Sequence, residues 1–352
     1  MTPALESAFA DQARSCAALG SPFMARLLPV LPRLIAPESR LGARLRGWPE
    51  ARLGPSHDSV PLRLAGALHR LHLEGGAPGL SAVYPPNDPT DAALAHALRA
   101  ALADHESALL DGLGIPPQTN EVRRAAVLIA AGHWLTQTFG KPLILSEIGA
   151  SAGLNLNWDF FCLRAAGRVL GPRGSSVALA PDWRGAAPEI CPPYVAEARG
   201  VDLNPLDPAL PEDALRLRAF LWPDQPERHA LTEAAIALAK APATDAQVAR
   251  GDALAWLPGR LRPRAGHCQM IYSTIAWQYL PRAARAEGAA LISEAGARAT
   301  SRAPLAWFRM EPDGNAPGAA LTMSLWPGGG EARSFGRVDF HGRWVDWQPP
   351  AP

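Results

Sequence analysis

Lysine is almost missing from this chain of 352 residues, although basic side chains as a class are not. Lys141 and Lys240 are the only lysines among 34 basic residues, so the other 32 (34 − 2) are arginines. With 33 acidic residues the formal net charge is only +1. This balance gives no electrostatic reason to expect a nucleic acid or an anionic membrane surface as a partner.

Cysteine is scarce as well. The chain contains Cys16, Cys162, Cys191 and Cys268, and no two of them form a C-x-x-C pair. This spacing argues against a disulfide framework and against a zinc site, so we expect no metal. Glu6 and Asp11 lie where a signal peptide needs a basic start and an apolar run. No segment approaches the roughly 20 apolar residues that span a bilayer. We therefore expect a cytoplasmic protein without a membrane partner.

The pattern of apolar residues divides the chain into two regions. Up to about residue 118, leucines recur at helical spacing and strand-like alternation is scarce. From residue 119 onward, short apolar runs alternate with helical stretches, which is typical of an open, mostly parallel sheet with helices on both faces. We predict a helical N-terminal region over 1–118 and an α/β domain over 119–352, with an insertion near 167–193.

Short apolar runs bounded by proline, glycine or polar residues suit the buried strands of a parallel sheet. They occur at 143–145, 200–203, 247–249, 269–272 and 304–308. Near the end of the chain, residues 320–326 and 332–347 flank the turn Pro327-Gly328-Gly329-Gly330. That arrangement predicts a long antiparallel hairpin.

The first of these runs leads into G-A-S-A-G at 149–153, which is compatible with two kinds of site. A G-x-S-x-G elbow after a strand is typical of serine hydrolases, with Ser151 as the nucleophile. Asp252 or Asp313 could then supply the acid, and His267 or His341 the base. However, the preceding 140 residues read as helical and contain no glycine-rich oxyanion segment, so this hydrolase remains the alternative interpretation.

The same segment also has the features of a cofactor loop. Glu147 ends the strand, and small residues at Gly149, Ser151 and Gly153 let a backbone approach a ligand, before a helix whose N-terminus would face it. A dinucleotide fold would need a third glycine where Leu154 stands, which argues against NAD.

The order of these motifs resembles class I S-adenosylmethionine-dependent methyltransferases, whose first motif is acidic-x-G-x-G-x-G. Glu147-Ile148-Gly149-Ala150-Ser151-Ala152-Gly153 matches it with serine at the middle glycine. Asp202, Gly251-Asp252-Ala253 and Tyr272-Ser273-Thr274 follow in sequence after later strands. The resemblance implies a Rossmann-like methyltransferase sheet with a reversed final strand, S-adenosylmethionine as cofactor and a small-molecule acceptor.

A second resemblance covers most of the chain. T-N-E-V-R-R-A-A at 119–126, S-E-I-G-A-S-A-G-L-N-L at 146–156 and Y-S-T-I-A-W-Q-Y-L-P at 272–281 are similar to a bacterial family catalogued as domain of unknown function 2332. G-V-D-L-N-P-L-D at 200–207 and L-R-A-F-L-W-P-D-Q at 217–225 share that similarity. The family implies a methyltransferase-like fold without an established reaction.

The methyltransferase resemblance also implies roles for the cofactor-binding residues. Glu147 would hold the methionyl amino group, while the backbone of Gly149, Ala150, Ser151 and Gly153 lies against the cofactor. Asp202 would bind the ribose, although it stands 55 residues (202 − 147) after Glu147, so Asp182 is the alternative acid. Asp252 with the Ala253 backbone would face the adenine. Each of these residues also has a purely structural interpretation: Glu147 as a strand end, Asp202 as part of an Asx-turn and Asp252 as a helix N-cap.

The remaining candidates lie on the acceptor side and over the cofactor. Ser273, Thr274 and Trp277 follow the fourth parallel strand, where the reactive methyl would point, although turn and core packing explain them as well. Asn120 and Arg123 begin the helix before the first strand and would cover the cofactor. An ordinary helix cap at Thr119 or Asn120 is the other reading. The sequence identifies no general base and no oligomeric state, and a Rossmann-like binding protein without chemistry is a third class.

Overall fold

The computed structural model describes residues 1–55 and 57–351. The α-helices in this part of the chain are α1 (Pro3–Ala18), α2 (Pro22–Leu34), α3 (Arg40–Arg46), α4 (Val60–Leu73), α5 (Pro78–Ser81), α6 (Asp91–Asp104), α7 (Glu106–Leu113), α8 (Ala125–Phe139), α9 (Pro211–Ala219), α10 (Pro226–Ala239), α11 (Ala253–Arg260) and α12 (Arg282–Ala297). Short 3-10 helices span Glu50–Arg52, Val122–Arg124, Leu154–Phe160 and Trp277–Tyr279. None of these helices is both long and apolar enough to cross a membrane.

The strands are β1 (Leu143–Ile148), β2 (Cys162–Ala165), β3 (Arg168–Leu170), β4 (Ala178–Leu179), β5 (Asp182–Gly185), β6 (Val195–Asp202), β7 (Gln247–Arg250), β8 (Cys268–Thr274), β9 (Leu305–Glu311), β10 (Ala319–Trp326), β11 (Arg333–Val338) and β12 (Trp344–Trp347). A nine-stranded sheet has the order β5-β12-β11-β10-β9-β8-β1-β6-β7. Its neighbours from β7 to β9 are all parallel, and β9 to β12 are antiparallel. The prediction of a mixed α/β fold with a large, mostly parallel sheet is confirmed.

The described residues form two compact units. One contains Met1–Thr119 and Pro211–His229, and the other contains Asn120–Leu210 and the chain from Ala230 onward. The sequence pattern kept Pro211–His229 in the α/β region, whereas the structure packs it with the N-terminal helices. Phe220 packs closely against α4 of these helices. A Cβ added to Gly66 would lie only 2.6 Å from the Phe220 ring, so the ring needs a glycine at that position.

The α/β unit is organised around β1, all six residues of which are buried between β6 and β8. On one face of the sheet Ile148, Ile271 and Trp307 join the apolar core under α11 and α12. Glu147 and Tyr272, which are register partners on β1 and β8, lie one residue out of phase with them. Side chains alternate along a strand, so this pair belongs to the opposite face.

Two predicted elements are broken in the structure. The helical stretch 212–240 is divided into α9 and α10, because residues 220–225 leave the helix around Pro223. The long strand predicted over 332–347 is divided into β11 and β12 by a turn. Asp339 makes that turn, since its carboxylate accepts hydrogen bonds from the backbone N–H groups of His341 and Arg343. The hairpin prediction is thus correct for β10 and β11 and wrong for the final strand.

Candidate functional site

The candidate site lies at the carboxyl edge of the parallel strands. After the segment β2–β5, the chain adds β6 and β7 on one side of β1 and then adds β8 and β9 on the other side of β1. In open α/β sheets ligands bind at such a change of direction, outside the carboxyl ends of the strands. Here the loop 149–153 leaves β1 at that point, and the ends of β6 and β8 lie beside it.

The loop is held in an unusual backbone conformation by the protein itself. Gly149, Ser151 and Gly153 have φ angles of +73°, +53° and +69°, which residues other than glycine rarely adopt. A Cβ on Gly149 would lie 2.4 Å from the Cβ of Ala276, and one on Gly153 would lie 2.7 Å from Val248. The two glycines are therefore required by close packing against the neighbouring loop and strand.

A helix was expected directly after this loop. The structure instead has the 3-10 helix Leu154–Phe160, which is kinked at Asn157. This expectation was wrong because the chain turns at once into β2 of the small sheet β3-β2-β4. The loop consequently lacks the α-helix N-terminus with which dinucleotide-binding folds hold a pyrophosphate.

Asp202 fixes the loop from the end of β6. Its Oδ2 accepts a hydrogen bond from the Ser151 backbone N–H at 2.8 Å, and its Oδ1 accepts one from the Asn204 N–H at 2.9 Å. The second bond is the predicted Asx-turn, and the first connects two elements that are distant in sequence. The ribose role of Asp202 stays a prediction, with each carboxylate oxygen already bound to one amide.

Asp182, the alternative ribose acid, is excluded by its position. It lies in β5, six strand spacings from β1 across the nine-stranded sheet, which is roughly 29 Å at 4.8 Å per spacing. Its carboxylate pairs with Arg184 of the same strand. Asp202 is therefore the acid that the fold brings beside the glycine loop.

Glu147 is the last residue but one of β1 and is only 1 % exposed. Burial raises the pKa of its carboxyl to about 8, against opposing effects of the Tyr272 hydroxyl and Arg124 and with reinforcement from the Asp202 charge. The Tyr272 hydroxyl donates a long hydrogen bond of 3.4 Å to Glu147 Oε2. Glu147 is therefore largely protonated at neutral pH. Its contact with a methionyl amino group stays a prediction, and it would require the hydrogen bond between Glu147 and Tyr272 to open.

Ser151 does not form a catalytic triad in the described residues. Its Oγ is buried and has no hydrogen-bond partner there. The proposed acids have other partners, because Asp252 caps α11 and Asp313 pairs with Arg337. His267 Nδ1 lies 3.2 Å from the Ala265 carbonyl oxygen. The positive φ of Ser151 fits a strained elbow, but no base lies within hydrogen-bond distance of its Oγ in the described part of the chain.

Asn120 and Asn155 tie the segment before α8 to the glycine loop. The Asn120 side-chain oxygen accepts a hydrogen bond from the Leu154 N–H at 2.9 Å, and the Asn155 amide donates to the Glu121 carbonyl at 3.1 Å. The alternative interpretation, a helix cap at Thr119 or Asn120, is wrong, since Glu121 is the capping residue and accepts from the Arg123 N–H; a place for Asn120 over the cofactor stays a prediction. Arg123 lies within the 3-10 helix that follows.

Asp252 and Leu203 present exposed groups at the same edge. Asp252 is the N-cap of α11, as predicted, and its Oδ1 accepts from the N–H groups of Leu254 and Ala255. Ala253 is the first residue of that helix. Leu203, which sequence reasoning missed, follows Asp202 with 73 % of its surface exposed. The sequence carried no signal for it, because its exposure depends on how the sheet edge folds.

Ser273, Thr274 and Trp277 belong to a segment organised by Glu311 at the end of β9. Glu311 Oε1 accepts hydrogen bonds from the Ser273 hydroxyl at 2.8 Å and from the Trp277 N–H at 2.9 Å. Ser273 is fully buried, and the Trp277 ring packs against Trp307 at 5.3 Å. Sequence reasoning missed Glu311 because its partners are 33 to 38 residues away in the chain.

Arg124 is a second missed residue. Its guanidinium donates hydrogen bonds to the carbonyl oxygens of Thr274 and Phe340, each at 3.0 Å. It therefore joins the end of β8 to the turn between β11 and β12. Only a basic residue next to Arg123 was visible in the sequence, and nothing local distinguished the two.

Comparison with known proteins identifies the family but no activity. No curated protein matches the chain. A family model described as "Uncharacterized protein conserved in bacteria (DUF2332)" matches residues 6–347. Because this match covers nearly the whole chain, the protein belongs to the bacterial family DUF2332.

Proposed function

We propose that the carboxyl edge of the sheet binds S-adenosylmethionine and that the protein transfers its methyl group to a small-molecule acceptor. The observation that carries this proposal is the glycine loop at the change of chain direction, fixed by the carboxylate of Asp202 on the adjacent strand. The strand order β7-β6-β1-β8-β9 supports it, because it is the order of a doubly wound nucleotide-binding sheet.

The charges at this edge favour a cofactor without phosphates. Asp202 ends β6 and Asp252 follows the adjacent strand β7, so two carboxylates lie on the same side of the loop. They would repel a pyrophosphate, and no α-helix N-terminus is present after the loop to offset that repulsion. Ribose hydroxyls and an adenine amino group instead donate hydrogen bonds that carboxylate oxygens accept.

The residues present fit the nucleoside part of the cofactor. Asp202 would accept from the ribose, and Asp252 uses one oxygen for its helix cap while its exposed carboxylate faces solvent. Leu203 directly follows Asp202 beyond the end of β6, and its exposed side chain would offer apolar surface to the adenine ring. When bound, S-adenosylmethionine supplies an electrophilic methyl group, and the protein orients the acceptor and excludes water.

Calorimetric titration with S-adenosylhomocysteine tests the proposal. Asn caps a helix as well as Asp does, so Asp252→Asn keeps α11 but turns an N–H donor toward the adenine amino group. We expect its dissociation constant to rise roughly tenfold or more, the loss expected for a charged hydrogen bond. Asp245→Asn is the matched control, because Asp245 precedes the amino end of the same strand β7. Equal affinity in wild type and Asp252→Asn, or no binding to wild type, contradicts the proposal.

A further inference from the structure

A pocket of about 770 Å³ opens next to the Glu311-organised segment, between β9, β10 and the first turns of α12. Its lining includes Trp277 and Glu311 together with Arg282, Arg285 and Arg309. Arg309 of β9 and Thr322 of β10 are register partners in its floor. The volume is in the range of sites that enclose small organic ligands.

The three arginines of this pocket have no carboxylate partner within salt-bridge distance in the described residues. Arg309 stacks on the Trp307 ring, with its guanidinium carbon 4.2 Å from the ring centroid. The Nε groups of Arg285 and Arg309 are buried and make no hydrogen bond there. Such buried donors without an acceptor are costly in a folded protein unless something supplies the acceptor.

The acidic residues of the pocket are engaged elsewhere. Glu311 accepts hydrogen bonds with both oxygens, from the Ser273 hydroxyl and from the backbone N–H groups of residues 276–278. Asp313 forms a two-bond pair with Arg337, at 2.9 and 3.1 Å. The pocket therefore presents an excess of positive charge to a ligand.

We infer that this pocket binds the carboxylate or phosphate group of a small anionic molecule, through Arg285 and Arg309. The planar guanidinium group presents paired donors that match both oxyanions. Burial lowers the pKa of the Arg309 guanidinium, with Glu311 opposing this effect, so an anion in the pocket would stabilise a cation that is now poorly solvated. Trp277, which lines the pocket, lies three residues after the end of β8. If the protein transfers a methyl group as proposed above, this anionic molecule is the methyl acceptor.

Thermal unfolding with inorganic phosphate and with succinate, each against sodium chloride at equal ionic strength, tests the inference. We expect at least one of the two anions to raise the midpoint of the wild type, since a ligand of the folded state stabilises it. The response should be lost in Arg285→Gln and Arg309→Gln and retained in Arg298→Gln, an exposed arginine at the far end of α12. A response to phosphate alone or to succinate alone identifies the anion class.

Controls separate this inference from the proposed cofactor site. Arg309→Lys keeps the positive charge and the apolar stem over Trp307 but loses the paired donors, so it should fold normally and respond weakly. Titration of S-adenosylhomocysteine into Arg285→Gln should give the wild-type affinity. No response to either anion, or equal responses in all variants, overturns the pocket. If the protein responds to an anion but does not bind S-adenosylhomocysteine, the anion site is supported and the assignment of the anion as methyl acceptor is withdrawn.

Discussion

Glu147 is a carboxyl group placed where water cannot solvate its charge, and the pH dependence of stability should show it. Its folded pKa of about 8 lies above the ordinary value of 4.5, so the folded state binds a proton that the unfolded chain releases. This contribution is complete below pH 4.5 and is lost as the pH rises toward 8.

We predict that Glu147→Gln flattens this part of the stability profile. Between pH 5 and 8 the wild type should lose roughly 1.4 kcal/mol of unfolding free energy per pH unit relative to the variant. Urea unfolding at several pH values measures the difference. Parallel profiles for the two proteins would show that the Glu147 pKa is not raised by folding.

Gly149 combines a positive φ with a close neighbour, so it should tolerate no side chain. We predict that Gly149→Ala destabilises the protein by about 1–3 kcal/mol more than Gly167→Ala does, because overpacking adds to the backbone strain. Gly167 is the matched control, since its φ is +74° but no atom lies within 4 Å of an added Cβ. Urea unfolding of both variants measures this, and equal losses would show that Ala276 yields to the added methyl group.

Ser151 is expected to be chemically inert. Its Oγ has no hydrogen-bond partner in the described residues, and a hydroxyl without a base is a poor nucleophile at neutral pH. We predict that a fluorophosphonate probe does not label the protein. Labelling of the wild type that disappears in Ser151→Ala would instead establish the serine-hydrolase alternative.

At the scale of elements, the segment 275–278 depends on Glu311 of β9. We predict that Glu311→Gln lowers the unfolding free energy by roughly 1.5–3 kcal/mol, because the charge is lost and the new amide nitrogen cannot accept from the Gln278 N–H. Glu294→Gln, at an exposed position of α12, is the control and should be neutral. Urea unfolding distinguishes the two, and equal stability of both variants would contradict the role of Glu311.

Local sequence patterns predicted the elements better than their connections. The apolar run at β1 and the glycines after it are local signals, and the helix cap at Asp252 is another. Glu311, Arg124 and Leu203 escaped prediction because their partners or their exposure depend on strands that meet only in the folded sheet. The final strand was predicted to be too long, because nothing in the sequence distinguishes Asp339 from other polar residues. Its role in the turn between β11 and β12 is visible only in the structure.

In the whole molecule, the chain passes three times between its two compact units, after residues 119, 210 and 229. The segment Pro211–His229 belongs to the helical unit, and its Trp222 joins the apolar core of the N-terminal helices. The predicted boundary at 118 and 119 therefore does not yield two continuous segments. The sequence could not show this, because the pattern of α9 equally suits a helix of the α/β region.

We predict that the fragment 120–352 aggregates when it is expressed alone, since residues 211–229 would expose apolar surface. Replacing 211–229 by a glycine-serine linker should restore a monodisperse fragment, which size-exclusion chromatography measures. A monodisperse unmodified fragment would show that this segment does not need the N-terminal helices.

Hydrogen exchange of the wild type, measured with and without S-adenosylhomocysteine, reports where on the protein the ligand binds. We predict slower exchange in the loop 149–153, in the turn 202–206 and at the start of α11, residues 251–255. No protection at saturating ligand, or protection confined to other parts of the chain, would contradict a cofactor site at the carboxyl edge of the sheet.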